Sequence, residues 1–297
     1  MHCRTVARLQ LAALAHLIRL PLSLMVAVTA LAGAMAVPGP VPGQILWALG
    51  WGVFLLAAAC SVLNQVQERT SDALMRRTAG RPLACGLLPA RAGTAIGLLL
   101  GSGGLAVLAA GAGPHPALLG LIILAWYLAV YTPLKRLTSL AVLAGTPCGA
   151  LPPLLGWLGA GGTLPAPQPL ALALFMLLWQ VPHYWVLALP DRDELRAAGF
   201  RVLPEFSERQ LLAVSQRWLL GLALATLLLP TLDFPATPLL QGLLAGLALT
   251  LTATVSWLCH QSIFAAITAY RLRRLLHWYL ALALLVLLTD ALSRAQF

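Results

Sequence analysis

A polytopic bundle of transmembrane α-helices is the fold class this sequence predicts, and three observations carry it. The 297 residues are 60% hydrophobic and 9% charged, with a mean hydropathy of +0.86, outside the range of an ordinary soluble domain. The apolar residues fall in continuous runs close to the ~20 residues a helix needs to cross ~30 Å of hydrocarbon, whereas a transmembrane barrel would alternate over segments of about ten. The third observation is charge placement. Of the 19 basic residues, 17 precede the first run or fall between runs two and three, four and five, six and seven, or eight and nine, and Arg217 lies near the start of run seven.

Nine spans follow in order. The first, 20–37, is preceded by Arg4, Arg8 and Arg19. With the Ala-Met-Ala at 34–36 it imitates a secretory signal, but eight further runs follow, so a retained helix is expected. The second, 44–63, opens after the PGPVPG turn at Pro38 and ends at Asn64. A long connection, 64–91, carries Arg69, Arg76, Arg77, Arg81 and Arg91. Spans 92–112 and 116–133 flank AGPHP, and Lys135 and Arg136 then precede 138–160. GGTLPAPQP from Gly161 leads into 168–189, and a second long connection, 190–212, holds Arg192, Arg196, Arg201 and Arg209. Span 213–231 has Arg217 near its start, TLDFPATP from Thr231 introduces 238–259, and Arg271, Arg273 and Arg274 precede 276–293. The positive-inside rule puts the N-terminus and the basic connections in the cytoplasm and the C-terminus outside. The net charge of +10 is therefore topology before it is affinity for nucleic acid. No linker divides the chain, which is read as one domain over 1–297.

Only nine carboxylates occur, and seven lie in the two long connections: Glu68 and Asp72 in the first, Asp191, Asp193, Glu194, Glu205 and Glu208 in the second. Acids are costly beside a bilayer, so such clusters are functional suspects. Asn64, Glu68 and Asp72 are spaced i, i+4, i+8, which on a helix confines them to an arc of about 80°. Like charges at that spacing repel, and a divalent cation reverses the sign. Mg²⁺ takes one or two carboxylates together with phosphate oxygens and water. Arg76, Arg77 and Arg81 follow within ten residues, and arginine suits forked contacts with phosphate. Topology alone would also account for them. Five cysteines show no C-x-x-C or paired His spacing, so neither a disulfide framework nor a zinc site is expected. Trp157, Trp179 and Trp185 are expected at the membrane interface, Asp233 and Asp290 on the side opposite the acidic connections.

Three ordered blocks carry a family resemblance. N-x-x-x-E-x-x-x-D from Asn64 runs on into MRRTAGRPL (Met75 to Leu83); YTPLKRLT from Tyr131 precedes GTPCGALPPLLGW from Gly145; WQVPHYW from Trp179 reaches AGFRVLP at Ala198 to Pro204. Together they resemble the UbiA-type intramembrane prenyltransferases, and within them the protohaem IX farnesyltransferase (haem O synthase) branch. The chain departs from that pattern at Glu68, where Asp is usual, and at Arg201, where Pro is usual. It departs also at Leu195, in place of an aromatic, and at Arg19-Leu20-Pro21, in place of Lys-Pro-Arg.

The resemblance implies transfer of a farnesyl group from farnesyl diphosphate to a vinyl group of haem B, giving haem O for haem-copper oxidases, in the cell inner membrane. It implies Mg²⁺ held by Glu68, Asp72 and, from the second acidic stretch, Asp191 or Glu194, with Asn64 hydrogen-bonding nearby and Tyr131 facing the allylic cation. Arg77, Arg81, Lys135 and Arg136 would neutralise the departing diphosphate, and His183 would touch substrate. Association with a haem A synthase or an oxidase assembly would follow. Rival readings are prenylation of an aromatic ring in quinone-type lipid biosynthesis, a non-enzymatic membrane carrier, and a non-catalytic relic of the family.

Overall fold

A computed structural model describes residues 12–201, 203–260 and 265–294; Arg4 and Arg8 of the expected basic N-terminus lie outside them. Among the described residues every regular element is helical, and eight helices are long and apolar enough to cross a membrane. The first expected span is α1 (Leu20–Met35), which at 16 residues reaches only about 24 Å. It is part of the bundle nonetheless. A Cβ on Gly33 would fall 1.9 Å from the Pro153 carbonyl oxygen, and one on Gly156 would fall 1.8 Å from that of Ala30. The two segments touch backbone to backbone, which only glycine permits at those positions.

The second span is longer than hydropathy suggested. Helix α2 (Gly43–Asp72) has 30 residues, about 45 Å at the usual rise, so the polar stretch from Asn64 to Asp72 is continued helix rather than loop. Helix α3 (Ala90–Gly111) packs along it, and α4 (Pro114–Trp126) passes through a π-helical turn, Tyr127–Tyr131, into α5 (Thr132–Leu137). The fifth span is two pieces, α6 (Ala141–Ala150) and α7 (Pro152–Gly159), parted where paired prolines remove backbone donors. Helix α8 (Pro167–Ala188) leads by a 3₁₀ turn into α9 (Arg192–Ala197). Helix α10 (Glu208–Leu228) starts five residues before the expected 213, because Ser207 and Gln210 form a capping box there. Helices α11 (Pro238–His260) and α12 (Ala265–Arg294) complete the described chain.

Among the described residues two large apolar cores result, with a small third of Leu17, Val62 and Leu83. One joins α1 to α4 and α7 around Leu49, Val53, Leu108 and Leu155; the other gathers α8 and α10 to α12 around Phe175, Leu219, Leu251 and Leu280. Contacts of α12 with α1 and of α7 with α8 link these two groups. Exposed Trp47, Trp51, Leu99, Leu224 and Leu249 suit a surface solvated by lipid. The three tryptophans expected at the interface are instead interior. Trp157, Trp179 and Trp185 are all below a tenth exposed; the indole of Trp157 donates to Thr163 O, that of Trp179 to Leu276 O, and Trp185 meets Trp218 edge to face. For Trp157 and Trp179, burial with a partner for the indole outweighs interfacial placement, while Trp185 is buried with its Nε1 unpaired. Asp290 is also structural: its carboxylate accepts the Ala236 and Thr237 N–H groups and the Thr237 hydroxyl just before α11.

Candidate functional site

Helices α1, α2 and α4 to α9, with the 73–89 connection, wall a cavity of about 330 Å³. Its polar end is built by two helices with the same four-residue period. Asn64, Glu68 and Asp72 line it from α2, and Tyr127, Tyr131 and Lys135 line it from the π turn and α5. The stripes meet at two places. The Tyr127 hydroxyl donates to Asn64 Oδ1 at 3.1 Å, and Lys135 Nζ stands 2.6 Å from Glu68 Oε1 and 4.9 Å from the centre of the Tyr131 ring. The three α2 residues are all buried, Asp72 to 2% exposure, so the predicted shared face exists and points inward. Asn64 Nδ2 is buried without a protein partner and is available to a ligand oxygen.

Asp72 is held by Arg81, Nη1 to Oδ2 at 2.6 Å, while the Thr78 hydroxyl donates to the Asp72 carbonyl. The connection therefore folds back over the end of α2 and carries Arg76 and Arg77 to the second acidic stretch. Arg77 Nε lies 2.8 Å from Asp191 Oδ2, and Arg76 binds Glu194 through its guanidinium and through its backbone N–H at 3.0 Å. Glu194 beside it holds the Arg76 guanidinium above its ordinary pKa by accepting its hydrogen bond. Residues some 115 apart in sequence thus close one polar rim, which spacing alone could not show.

The expected ligands are split. Glu68 and Asp72 face the cavity, Asp191 and Glu194 are turned to arginines of the rim, and among the described residues no group of three or more acidic, His or Cys side chains is gathered as a metal site. Two buried carboxylates still fit a magnesium ion whose remaining ligands are phosphate and water. Asp193, Glu205 and Glu208 are exposed and stay solvated. Arg136 sits behind the site, donating to Ser71 Oγ at 3.2 Å and lying over Phe200. Arg201, in place of the family's proline, donates its backbone N–H to Lys135 O at 2.8 Å, a bond proline could not make.

His183 lines the cavity, stacked on Trp179 with ring centres 4.3 Å apart, its Nδ1 buried without a partner. His277 of α12 meets it edge-on at 4.8 Å, a pairing sequence spacing did not reveal. Tyr127 and Arg19 are among the further lining residues that were missed. Tyr127 was legible as a residue four before Tyr131. Arg19 enters the cavity wall from a left-handed backbone (φ 48°) that breaks the helix before α1, and a left-handed arginine leaves no composition signal.

Below the polar end the lining turns apolar, through Leu22, Val26, Val53, Leu56, Leu124 and Leu155. Such a shape suits a ligand with an anionic head and a hydrocarbon tail.

A model described as the UbiA prenyltransferase family matches residues 24–280. The protoheme IX farnesyltransferase of Geobacter sulfurreducens is 42% identical over 262 residues, covering 86% of this chain and 93% of that one. The protein of the same name from Nitratidesulfovibrio vulgaris (strain DP4) is 40% identical over 96% of this chain and 97% of its own. Among solved structures, a UbiA homologue from Archaeoglobus fulgidus bound to GPP and Mg²⁺ superposes with a TM-score of 0.64 at 15% identity, covering 96% of this chain and 100% of that one.

Proposed function

The chain belongs to the UbiA prenyltransferase family, and from that premise we propose that it transfers a farnesyl group from farnesyl diphosphate to a vinyl group of protohaem IX, making haem O. The observation that carries the reading is the junction at Glu68 and Asp72. Buried carboxylates, each matched by a cation, stand where a polar rim meets an apolar cavity. The names and about 40% identity of the relatives favour haem as acceptor over an aromatic ring.

Glu68 and Asp72 would hold the magnesium, which when bound supplies Lewis-acid neutralisation of the diphosphate. Arg81, Arg77 and Lys135 turn from carboxylates to phosphate oxygens and stabilise the negative charge that grows there as the C1–O bond breaks. Asn64 Nδ2 donates to a bridging or terminal oxygen. The rings of Tyr127 and Tyr131 face the allylic cation, for which a ring face is attractive, and their burial excludes premature water. The acceptor's vinyl electron pair forms the new bond to C1; the resulting cation beside the porphyrin takes up water and loses a proton, leaving a hydroxyethylfarnesyl group. His183, on the Trp179 side of the cavity, is placed to contact the acceptor.

The basic connections support a cytoplasmic rim and N-terminus in the inner membrane of this reading, to which handover to a haem A synthase or an oxidase assembly also belongs. The test is incubation of purified protein with Mg²⁺, farnesyl diphosphate and either haem B or 4-hydroxybenzoate, with products identified by mass. A haem adduct is expected. Diphosphate release without an adduct would make the protein a hydrolase; an adduct with 4-hydroxybenzoate alone would move it to quinone-type synthesis.

A further inference from the structure

The apolar arm of the cavity has a floor, and the floor lies at a measurable depth along α2. Descending from Asn64, the lining residues of this helix are Ser61, Cys60, Ala57, Leu56 and Val53. Beneath them Leu49 and Leu108 are fully buried and belong to the packed core that also holds Leu155. That core is hard to displace, because α2 and α3 cross there at backbone contact. A Cβ on Gly104 would lie 2.9 Å from Gly52 O, and one on Gly52 would lie 2.6 Å from Leu108 Cγ. From the opposite wall Gly120 of α4 receives the end of Leu56, whose Cδ1 sits 2.6 Å from where a Cβ would be. Leu56 therefore reaches across the cavity between α2 and α4.

Length follows from rise. With the diphosphate at the level of Glu68 and Asp72, C1 of the prenyl chain starts about one turn below, at Asn64. From Asn64 the helix descends about 12 Å to Leu56 and about 16 Å to Val53 at ~1.5 Å per residue. A zigzag of ~1.5 Å carbon–carbon bonds advances about 1.25 Å each, so two, three and four isoprene units extend about 9, 14 and 19 Å. Three units end between Leu56 and Val53. Four overrun the floor.

We infer that Leu56 and Val53, faced by Leu155, form the specificity-determining stop that limits the donor to three isoprene units. The inference rests on the prenyltransferase reading above and adds the residues that select chain length. Its test is a competition among equimolar geranyl, farnesyl and geranylgeranyl diphosphates with haem B and Mg²⁺, the adducts resolved by mass. Wild-type protein forms chiefly the C15 adduct. Leu56→Ala deepens the floor and raises the C20-to-C15 ratio about tenfold, the scale on which an apolar pocket discriminates small changes in size. Ala57→Leu adds bulk at a half-buried lining position and raises the C10-to-C15 ratio by a similar factor. If Leu56→Ala does not fold, Ala57→Leu carries the test on its own. No adduct from wild type with any donor overturns the proposed function. A C15 adduct whose ratios do not move in the variants leaves that function standing and overturns the stop.

Discussion

Lys135→Met tests whether Glu68 is a carboxylate waiting for a metal, and it does so without an activity assay. Lys135 Nζ and Glu68 Oε1 are 2.6 Å apart, and both residues are below a tenth exposed. At an effective dielectric of ~20 their attraction is about 6 kcal/mol before desolvation is counted. Removing one partner of such a pair strands the other charge and costs about 3–5 kcal/mol, because methionine keeps the length of the stem but not the ammonium. In chelator the melting midpoint of the variant should therefore fall by roughly 10 °C. Saturating Mg²⁺ gives Glu68 a new partner. Ligand held at about a hundred times its dissociation constant restores about 2.7 kcal/mol, so the variant should recover more than half its loss. Wild-type protein gains less, since its Glu68 must first leave Lys135. The assay is thermal unfolding of detergent-solubilised protein, with and without Mg²⁺. A variant that melts with wild type in chelator, or equal Mg²⁺ shifts in both proteins, would refute the reasoning.

Asp72→Ala should lower haem O formation by about 10³-fold, the cost of removing one preorganised charge-stabilising contact, whereas Glu68→Asp should retain most of it; adduct yield by mass measures both, and near-normal yield in Asp72→Ala would discard the metal assignment. Arg201→Pro should destabilise the protein by about 1 kcal/mol by deleting the N–H donated to Lys135 O, while Arg201→Ala, which keeps that N–H, should melt with wild type. Asp290→Ala should cost about 2 kcal/mol by uncapping the start of α11 and leave the activity per folded molecule unchanged; a specific loss of activity would show that Asp290 acts on the site.

The spans were legible because uninterrupted apolar runs have few other uses, and Asn64, Glu68 and Asp72 were legible because a helical period is visible in one dimension. The continuation of α2 through Asp72 was not, since hydropathy reports where the lipid ends and not where the helix does. The facing stripe Tyr127, Tyr131 and Lys135 has the same period, but apolar neighbours mask its tyrosines in a hydropathy reading. Partner choice is lost altogether in one dimension: nothing local tells Arg76 to take Glu194, 118 residues away, or His183 to meet His277. The tryptophans misled for a related reason. An indole near a helix end satisfies the interface rule and the core equally well, and only tertiary acceptors such as Leu276 O decide between them.

Four carboxylates and four cations meet one to one at the rim: Asp72 with Arg81, Glu68 with Lys135, Asp191 with Arg77 and Glu194 with Arg76. On the proposed function the site would behave as an ion exchanger. On the proposed reading, a magnesium diphosphate is admitted by swapping counterions, carboxylates passing to the metal and guanidinium or ammonium groups passing to phosphate. Little net charge is carried into the low-dielectric interior, and the same pairs re-form when diphosphate leaves. On that reading, charges stay paired before and after turnover, and Arg19 in the cavity wall offsets part of the negative charge that remains on so charged a substrate beside the bilayer.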